Sequence, residues 1–466
     1  MNSHHTAART TPAWFDEAKL GIFIHWNPAV VPAYAPVPSV HPVDEMMAYD
    51  ESGVQAMRRN PYADMYWNSM NIPGSPTARH HAEHYPGLDY DDFVRVFREQ
   101  VLTAFDPRPW AELFARAGAR YVVLTTKMDD GFLLWPSATP NPHRKDWQST
   151  RDVVGDLAEA VRERGLRFAT YYCGGQDWTF TGLPLADIEA FMNGCPPGPA
   201  YAAYADAHIR ELTDRYQPSV LWNDYSYPAD SDVPALFRHY WDTVPDGLVN
   251  NRFAPPGTDP GNDTSGIHYD FLTPEQTTAG HFPGKWEACM TLGTAWGYNR
   301  MEPASTHLSG EQLIRTFIDV VARGGNLLIN VGPTAAATIP WMQAEPLLAL
   351  GWWLETNGEA IYATRPWTKP KGLTGEALDI RYTQSNDPSG GAVHAIVLGT
   401  PTRRDVELDV RLDGGARVSL TGHGAALPWE ETPMGVRIQL PDQLDPRPAH
   451  SLRLEPANHV HPHTET

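Results

Sequence analysis

Four stretches of the chain repeat one plan. A helical run with apolar residues three and four apart is followed by Gly or Pro, then by a short apolar strand ending in polar or aromatic residues. They are PWAELFARAGA before RYVVLTTK, DVVGDLAEAVRERG before LRFATYY, AYADAHIRELTDRYQP before SVLWND, and EQLIRTFIDVVARGG before NLLINVG. YVVLT and NLLINV are apolar without alternation, as strands are when helices cover both sheet faces, so the sheet is expected to be parallel. Polar side chains stand at the C-terminal ends of several of these strands: His25 after GIFI, Lys127, Tyr171, Asp224 and Asn330. In a barrel such ends converge on one mouth. No Gly-rich dinucleotide turn follows the first strand, which speaks against a Rossmann arrangement. The expected fold is α/β, a (β/α)8-like barrel with some helices missing or irregular.

The pattern changes twice along the chain. Between Trp26 and Tyr90 the residues are rich in Pro, Met, His and aromatics, without a sustained period. A stretch of that length in a compact domain shapes a cleft, so loops and short helices over the barrel mouth are expected. After GWWLETNGEAIYAT come short alternating runs, ALDIRYT, AVHAIVLG, DVELDVRL and GVRIQL, separated by Gly, Pro, Asn and Asp. That texture belongs to an antiparallel β-sandwich. The division is a barrel over residues 1–360 and a sandwich over 361–466, and the tail NHVHPHTET reads as a frayed, solvated terminus.

Charge narrows the partners. Lys and Arg total 36 against 56 Asp and Glu, a net charge of −20, which repels nucleic acid and anionic membrane alike. The N-terminus lacks the basic start and apolar run of a signal peptide, and no apolar run is long enough to span a bilayer, so a soluble cytoplasmic protein is expected. Cys173, Cys195 and Cys289 are an odd number at wide spacing, which fits free thiols better than a disulfide framework or a zinc ribbon. The 16 Trp suit the flat faces of sugars, though large cores use them too.

Asp224 follows Trp222 at the end of a strongly apolar strand, which puts a carboxylate and a flat ring together at the mouth. Such a carboxylate can attack an anomeric carbon; equally, a strand-end Asp can cap the next helix. The second carboxylate that glycoside chemistry needs could be Asp259, Asp263, Asp270, Glu275 or Glu287, and spacing does not choose among them. His80, His81 and His84 in TARHHAEHYPG have a helical spacing that could hold a metal, but no bridging carboxylate accompanies them and a solvated or loop-packing cluster is the favoured reading.

Seven segments, WFDEAKLGIFIHW, YYCGGQDWTF, SVLWND, LVNNRF, FLTPEQ, KWEACMTLGTAWGYNR and RGGNLLINVGP, stand in an order and at separations that resemble glycoside hydrolase family 29, the alpha-L-fucosidases. The resemblance implies a barrel followed by a β-sandwich and a retaining glycosidase that needs no metal or other cofactor. It makes Asp224 the nucleophile and Glu275 the acid/base, with Glu287 in reserve because acid/base positions vary within the family. The implied partner is a small-molecule glycoside or an oligosaccharide; whether the chain forms a homo-oligomer stays open. Around the sugar the resemblance sets His25, Tyr171, Trp222, Arg252 and Trp296. His25 is expected to donate to a ring hydroxyl, Tyr171 to restrain the nucleophile, Arg252 to hold Glu275 or Asp224, and the two indoles to face the apolar side of the sugar.

Four positions depart from the family pattern. Where its members have His-His before Asp-Gly-Phe, this chain has Met128 and Asp129; where they have Glu-Trp before a tyrosine, it has Asp64 and Met65. Imidazole and indole donors are thereby lost, and thioethers and a new carboxylate take their place. A site that has lost its donors discriminates against the sugar those donors read. The expected glycone is an alpha-L-sugar altered around C3 to C4, epimerised or amino-substituted, with Asp129 bonding a hydroxyl or ammonium, in a specialised pathway. Two other functions are weighed against this one: a sugar-binding protein on the same fold without catalysis, and a metal-dependent barrel hydrolase.

Overall fold

The computed structural model describes residues 9–39, 44, 57–258 and 265–463. Each apolar run becomes a buried strand. β1 (Leu20–Ile24), β2 (Tyr121–Lys127), β3 (Arg167–Tyr172), β4 (Val220–Asn223), β5 (Leu248–Val249), β6 (Trp286–Thr291) and β7 (Gly325–Val331) form, among the described residues, one parallel sheet in the order β5-β4-β3-β2-β1-β7-β6. The four expected helices are Pro107–Arg116, Val153–Glu163, Pro199–Tyr216 and Gly310–Ala322. Three of them start at short polar side chains that accept from the first free amides, and Pro199–Tyr216 starts after Gly198 with Pro at its first turn. Asp106 accepts from Arg108 N, Asp152 from Gly155 N, and Ser309 forms a capping box with Gln312. Each lays an apolar stripe on the sheet, as Trp110, Ala111 and Phe114 do on the first.

The sheet edges β5 and β6 are joined by the segment 270–276. Bridges Asn250 to Phe271, Leu272 to Trp286 and Glu275 to Cys289 all run parallel. Cys289 N donates to Pro274 O at 3.0 Å and Gln276 N to Cys289 O at 2.9 Å. This irregular eighth element closes the barrel. Pro274 has no N–H to give to a ladder, which keeps the segment from becoming a regular strand. No α-helix occurs among the described residues between 244 and 309, so the expected helix loss falls on the side of the barrel that carries Glu275.

The insertion after β1 contributes 3-10 turns at Met57–Arg59 and Ala63–Met65 and helices Tyr66–Asn71 and Pro76–His84. It is tied to the barrel through Asp64, whose backbone carbonyl accepts from Asn27 Nδ2 at 3.0 Å and whose Oδ1 accepts from Gly297 N at 2.8 Å. On the second of these helices His80 stacks on Tyr34 with centroids 3.6 Å apart. His81 accepts from the Tyr66 hydroxyl and donates to the Leu88 carbonyl. The histidines therefore pack with the insertion. Among the described residues no group of three or more His, Cys, Asp or Glu is arranged to hold a metal ion, and no helix is long and apolar enough to cross a membrane.

Beyond the helix Trp341–Asn357 the strands become antiparallel. One sheet holds β8 (Thr364–Leu373), β9 (Asp379–Ser385), β10 (Val393–Val397), β13 (Arg417–Leu420) and β16 (His450–Glu455); a second holds β11 (Asp405–Leu408), β14 (Trp429–Thr432) and β15 (Gly435–Gln439). Their alternating residues, Tyr382, Val393 and Leu454 from one and Val406, Val436 and Ile438 from the other, share one buried cluster. The tail differs from expectation. β17 (Val460–Pro462) pairs with β12 (Val410–Leu412), because Val460 enters the same apolar cluster and His461 donates to Asp413 Oδ2 at 3.0 Å.

Candidate active site

Asp224 leaves the end of β4, with its amide donating to Tyr172 O at 3.2 Å. Both carboxylate oxygens are occupied. The Tyr171 hydroxyl donates to Oδ2 at 2.8 Å, while Oδ1 accepts from Arg252 Nη1 at 2.6 Å and from Tyr225 N at 2.8 Å. That last contact depends on Tyr225 adopting φ +60°, a left-handed conformation uncommon outside glycine, Asn and Asp. Arg252, just past β5, has its own position fixed by donating through Nε to Thr273 Oγ1 at 2.9 Å. Its Nη2 donates to Glu275 Oε2 at 3.1 Å. One guanidinium fork thus holds both carboxylates, and the plane of that fork lies 4.7 Å over the Trp222 ring, which stacks in turn on Tyr171.

Glu275 sits on the barrel-closing segment, and like Asp224 it is followed by a left-handed residue, Gln276 at φ +51°. Its carboxyl is pushed above its ordinary pKa, first by withdrawal from bulk water and then by the charge of Asp224, against the pull of Arg252. A proton is therefore more easily retained on Glu275 than on a solvated Glu.

His25 ends β1. Its Nδ1 lies 2.6 Å from Asn330 Oδ1, and the same Asn330 amide donates through Nδ2 to Trp296 O. That orientation makes Oδ1 an acceptor, so His25 Nδ1 carries the proton and Nε2 is left as an acceptor. Burial lowers the ring's pKa to about 4, which keeps it neutral. With Nδ1 protonated, Nε2 is the ring's acceptor, where the sequence reading expected a donor.

These groups line a cavity of about 690 Å³ whose wall includes His25, Asp64, Met65, Met128, Tyr171, Trp222, Asp224, Arg252, Glu275 and Trp296. The family profile for Alpha-L-fucosidase matches residues 1–359. The chain belongs to the alpha-L-fucosidase family. It is 35% identical to the plasma alpha-L-fucosidase of Rattus norvegicus over 453 residues, 93% of this chain and 88% of that one. With the plasma alpha-L-fucosidase of Homo sapiens it shares 33% over 452 residues, 93% and 86% of the two chains. A crystal structure of Thermotoga maritima alpha-fucosidase in complex with fucose superposes with a TM-score of 0.82 at 38% identity, covering 96% of this chain and 97% of that one. Like its relatives, this member of the fucosidase family is a glycoside hydrolase.

Of the other candidate carboxylates that the structure describes, Asp270 and Glu287 lie outside the cavity wall. Asp259 and Asp263 fall outside the described residues. Asp270 accepts from Val249 N at 2.8 Å and pairs with His268; it is not part of the wall. Glu287, the reserve acid/base, is buried beneath the site, accepting from the Tyr121 hydroxyl and from Trp222 Nε1 at 3.1 Å. It supports the indole from below. Burial raises its pKa to about 7. Lys127 also turns away from the mouth, paired with Asp177 at 3.2 Å and donating to the carbonyls of Cys173 and Gln176.

The four positions that depart from the fucosidase pattern separate in space. Met65, Met128 and Asp64 face the cavity, whereas Asp129 is not in its wall. Asp129 Oδ1 accepts from Cys173 Sγ at 2.9 Å, its Oδ2 has no partner among the described residues, and burial raises its pKa to about 8. Asp64 keeps one oxygen on Gly297 N and has its pKa raised by burial to about 6. Several wall residues, Tyr62, Phe191 and Tyr225 among them, escape sequence reasoning. Tyr62, buried beside Asp64 and Trp296, has a hydroxyl without a hydrogen bond of ordinary geometry among the described residues. Only its place two residues before Asp64 in NPYADMYW could have flagged it.

Proposed function

We propose that this protein hydrolyses an alpha-L-glycoside with retention, by double displacement at Asp224. The observation that carries the reading is the single Arg252 fork between Asp224 and Glu275, since retaining pairs work at a close separation of roughly 5–5.5 Å. Asp224 attacks the anomeric carbon as the bond to the aglycone oxygen breaks, and Glu275 gives that oxygen its proton. Water then enters, Glu275 takes a proton from it, and the hydroxide displaces Asp224 from the sugar. Tyr171, Arg252 and Tyr225 N donate to the Asp224 oxygens and so stabilise the carboxylate as it leaves.

The glycone is an alpha-L-sugar altered around C3 to C4 in place of plain L-fucose. Support comes from Met65 and Met128, which give the wall thioethers where fucosidases commonly present donors. An amino substituent would meet Asp64 in the wall in preference to Asp129, which is not part of it. Synthetic aryl glycosides of L-fuco, L-galacto, L-gluco and amino-L configuration, with the anomer of the first product followed by NMR, test both halves. Turnover of p-nitrophenyl alpha-L-fucoside at the rate of ordinary fucosidases would remove the altered glycone. An inverted first product would remove the double displacement.

A further inference from the structure

The reacting groups and the sugar contacts occupy one part of the cavity wall. The remainder comes from the short helix Ile188–Met192 and from the loops after β4 and β5, with Ile188, Phe191, Met192, Tyr225, Pro255 and Pro256 as its apolar members. Phe191 meets Tyr225 edge-on with ring centroids 5.3 Å apart, which joins the helix to the nucleophile loop in one surface. Met192 is 55% exposed, unusual for a large apolar side chain beside a cavity. The charged residues of the wall, Asp64, Asp224, Arg252 and Glu275, all lie at the reacting centre or among the sugar contacts. Among the described residues the outer part is therefore uncharged.

The cavity volume of about 690 Å³ is that of a site for a drug-sized ligand, and one monosaccharide fills only part of it. What fills the rest is the group leaving from Glu275. A second sugar would bring a hydroxyl on most of its carbons to a surface in which Met, Ile, Phe, Tyr, Ala and Pro outnumber the neutral polar side chains Asn193, Ser226, Asn251 and Thr258, so only some of those hydroxyls regain a partner for the water they give up. A hydrocarbon skeleton gives up nothing and buries area, and an exposed Met adapts its flexible, polarizable chain to irregular apolar shapes.

Resting on the glycosidase reading, we propose that the natural aglycone is a hydrophobic alcohol, making the substrate the glycoside of an apolar small molecule, not an oligosaccharide. Contacts made this far from the acetal exist equally before and during bond breaking, so they act on KM more than on kcat.

Calorimetry on the Asp224→Asn protein, which binds without consuming its ligand, tests this with the methyl glycoside, the octyl glycoside and the glycosyl-galactose disaccharide of whichever alpha-L-sugar the aryl panel shows to be turned over fastest. The octyl glycoside is expected to bind about tenfold or more tighter than the methyl glycoside, and the disaccharide no tighter than methyl. Adding Met192→Asp is expected to erase most of the octyl gain. Equal octyl and methyl affinity, failure of the octyl glycoside to bind, a tighter disaccharide, or a gain untouched by Met192→Asp each overturn the proposal. Turnover of aryl glycosides by the wild-type protein is read separately. Turnover without an apolar preference sinks this inference alone, whereas failure to cleave any glycone in the panel sinks the glycosidase reading beneath it.

Discussion

Around Asp224 both carboxylate oxygens have donors; of these, Arg252 is itself held by Thr273, and Trp222, the ring beside its guanidinium, donates to Glu287 below. Elsewhere in the cavity wall the finish is different. Met65 and Met128 offer thioethers, and the Tyr62 hydroxyl has no ordinary partner among the described residues. A network satisfied before substrate arrives is preorganised for a charge that changes during reaction. A polar atom left open in a buried wall is satisfied only by the right ligand, so on the proposed function that side carries selectivity. On the proposed mechanism, chemistry and recognition fall to different residues of one cavity wall, and they can be perturbed separately.

The largest effect is expected on the satisfied side. Replacing Asp224 with Gly is expected to lower kcat by about 10⁴-fold or more, and azide is expected to restore turnover with an azido-sugar as product. Glu275→Gln comes next, with a loss of about 10²- to 10⁴-fold on glycosides with poor leaving groups and a much smaller one on p-nitrophenyl glycosides, which need no proton. Its pH–rate profile is expected to lose the alkaline limb, because the group whose raised pKa keeps the proton is gone. Full activity of Glu275→Gln on poor leaving groups would move the acid/base role to another residue.

On the open side the change is a gain. The double variant Met128→His, Met65→Trp is expected to raise kcat/KM on p-nitrophenyl alpha-L-fucoside by roughly tenfold or more; no change would place selectivity outside this wall. The smallest effect concerns stability. Burial raises the pKa of Asp129 to about 8, Glu287 to about 7, and Asp64 and Asp130 to about 6. Each holds its proton more tightly folded than unfolded, so their contribution is fully present below about pH 4 and is lost as pH rises through 6 to 8. Asp129→Asn is expected to raise Tm by a few degrees at pH 9 and by nothing at pH 4, as read by differential scanning fluorimetry.

The barrel strands were legible because unbroken apolar runs behind amphipathic helices permit little else, and Asp224 was legible because its strand is so apolar that the carboxylate must lie at its end. Glu275 and Glu287 could not be told apart by spacing. Glu287 and Cys289 share one face of β6 by the two-residue period of a strand, but Cys289 reaches the cavity wall while Glu287, two residues nearer the strand start, is covered by Trp222. Depth along a barrel strand is a tertiary property. Adjacent Met128 and Asp129 split for a similar reason, since neighbours just past a strand end point apart, and only one of them enters the wall. Which ring nitrogen of His25 is left as an acceptor depends on Asn330, more than three hundred residues away.

Tyr225 and Gln276, the left-handed residues that follow the two carboxylates, also constrain how this site can vary. Neither is a residue type that announces such a conformation, yet the backbone there tolerates Gly, Asn and Asp and penalises Val, Ile and Thr. In a library of substitutions, β-branched residues are therefore expected to be depleted at both positions on backbone grounds alone, before any effect on substrate, and paths of sequence drift past these two carboxylates run through a narrow set of neighbours.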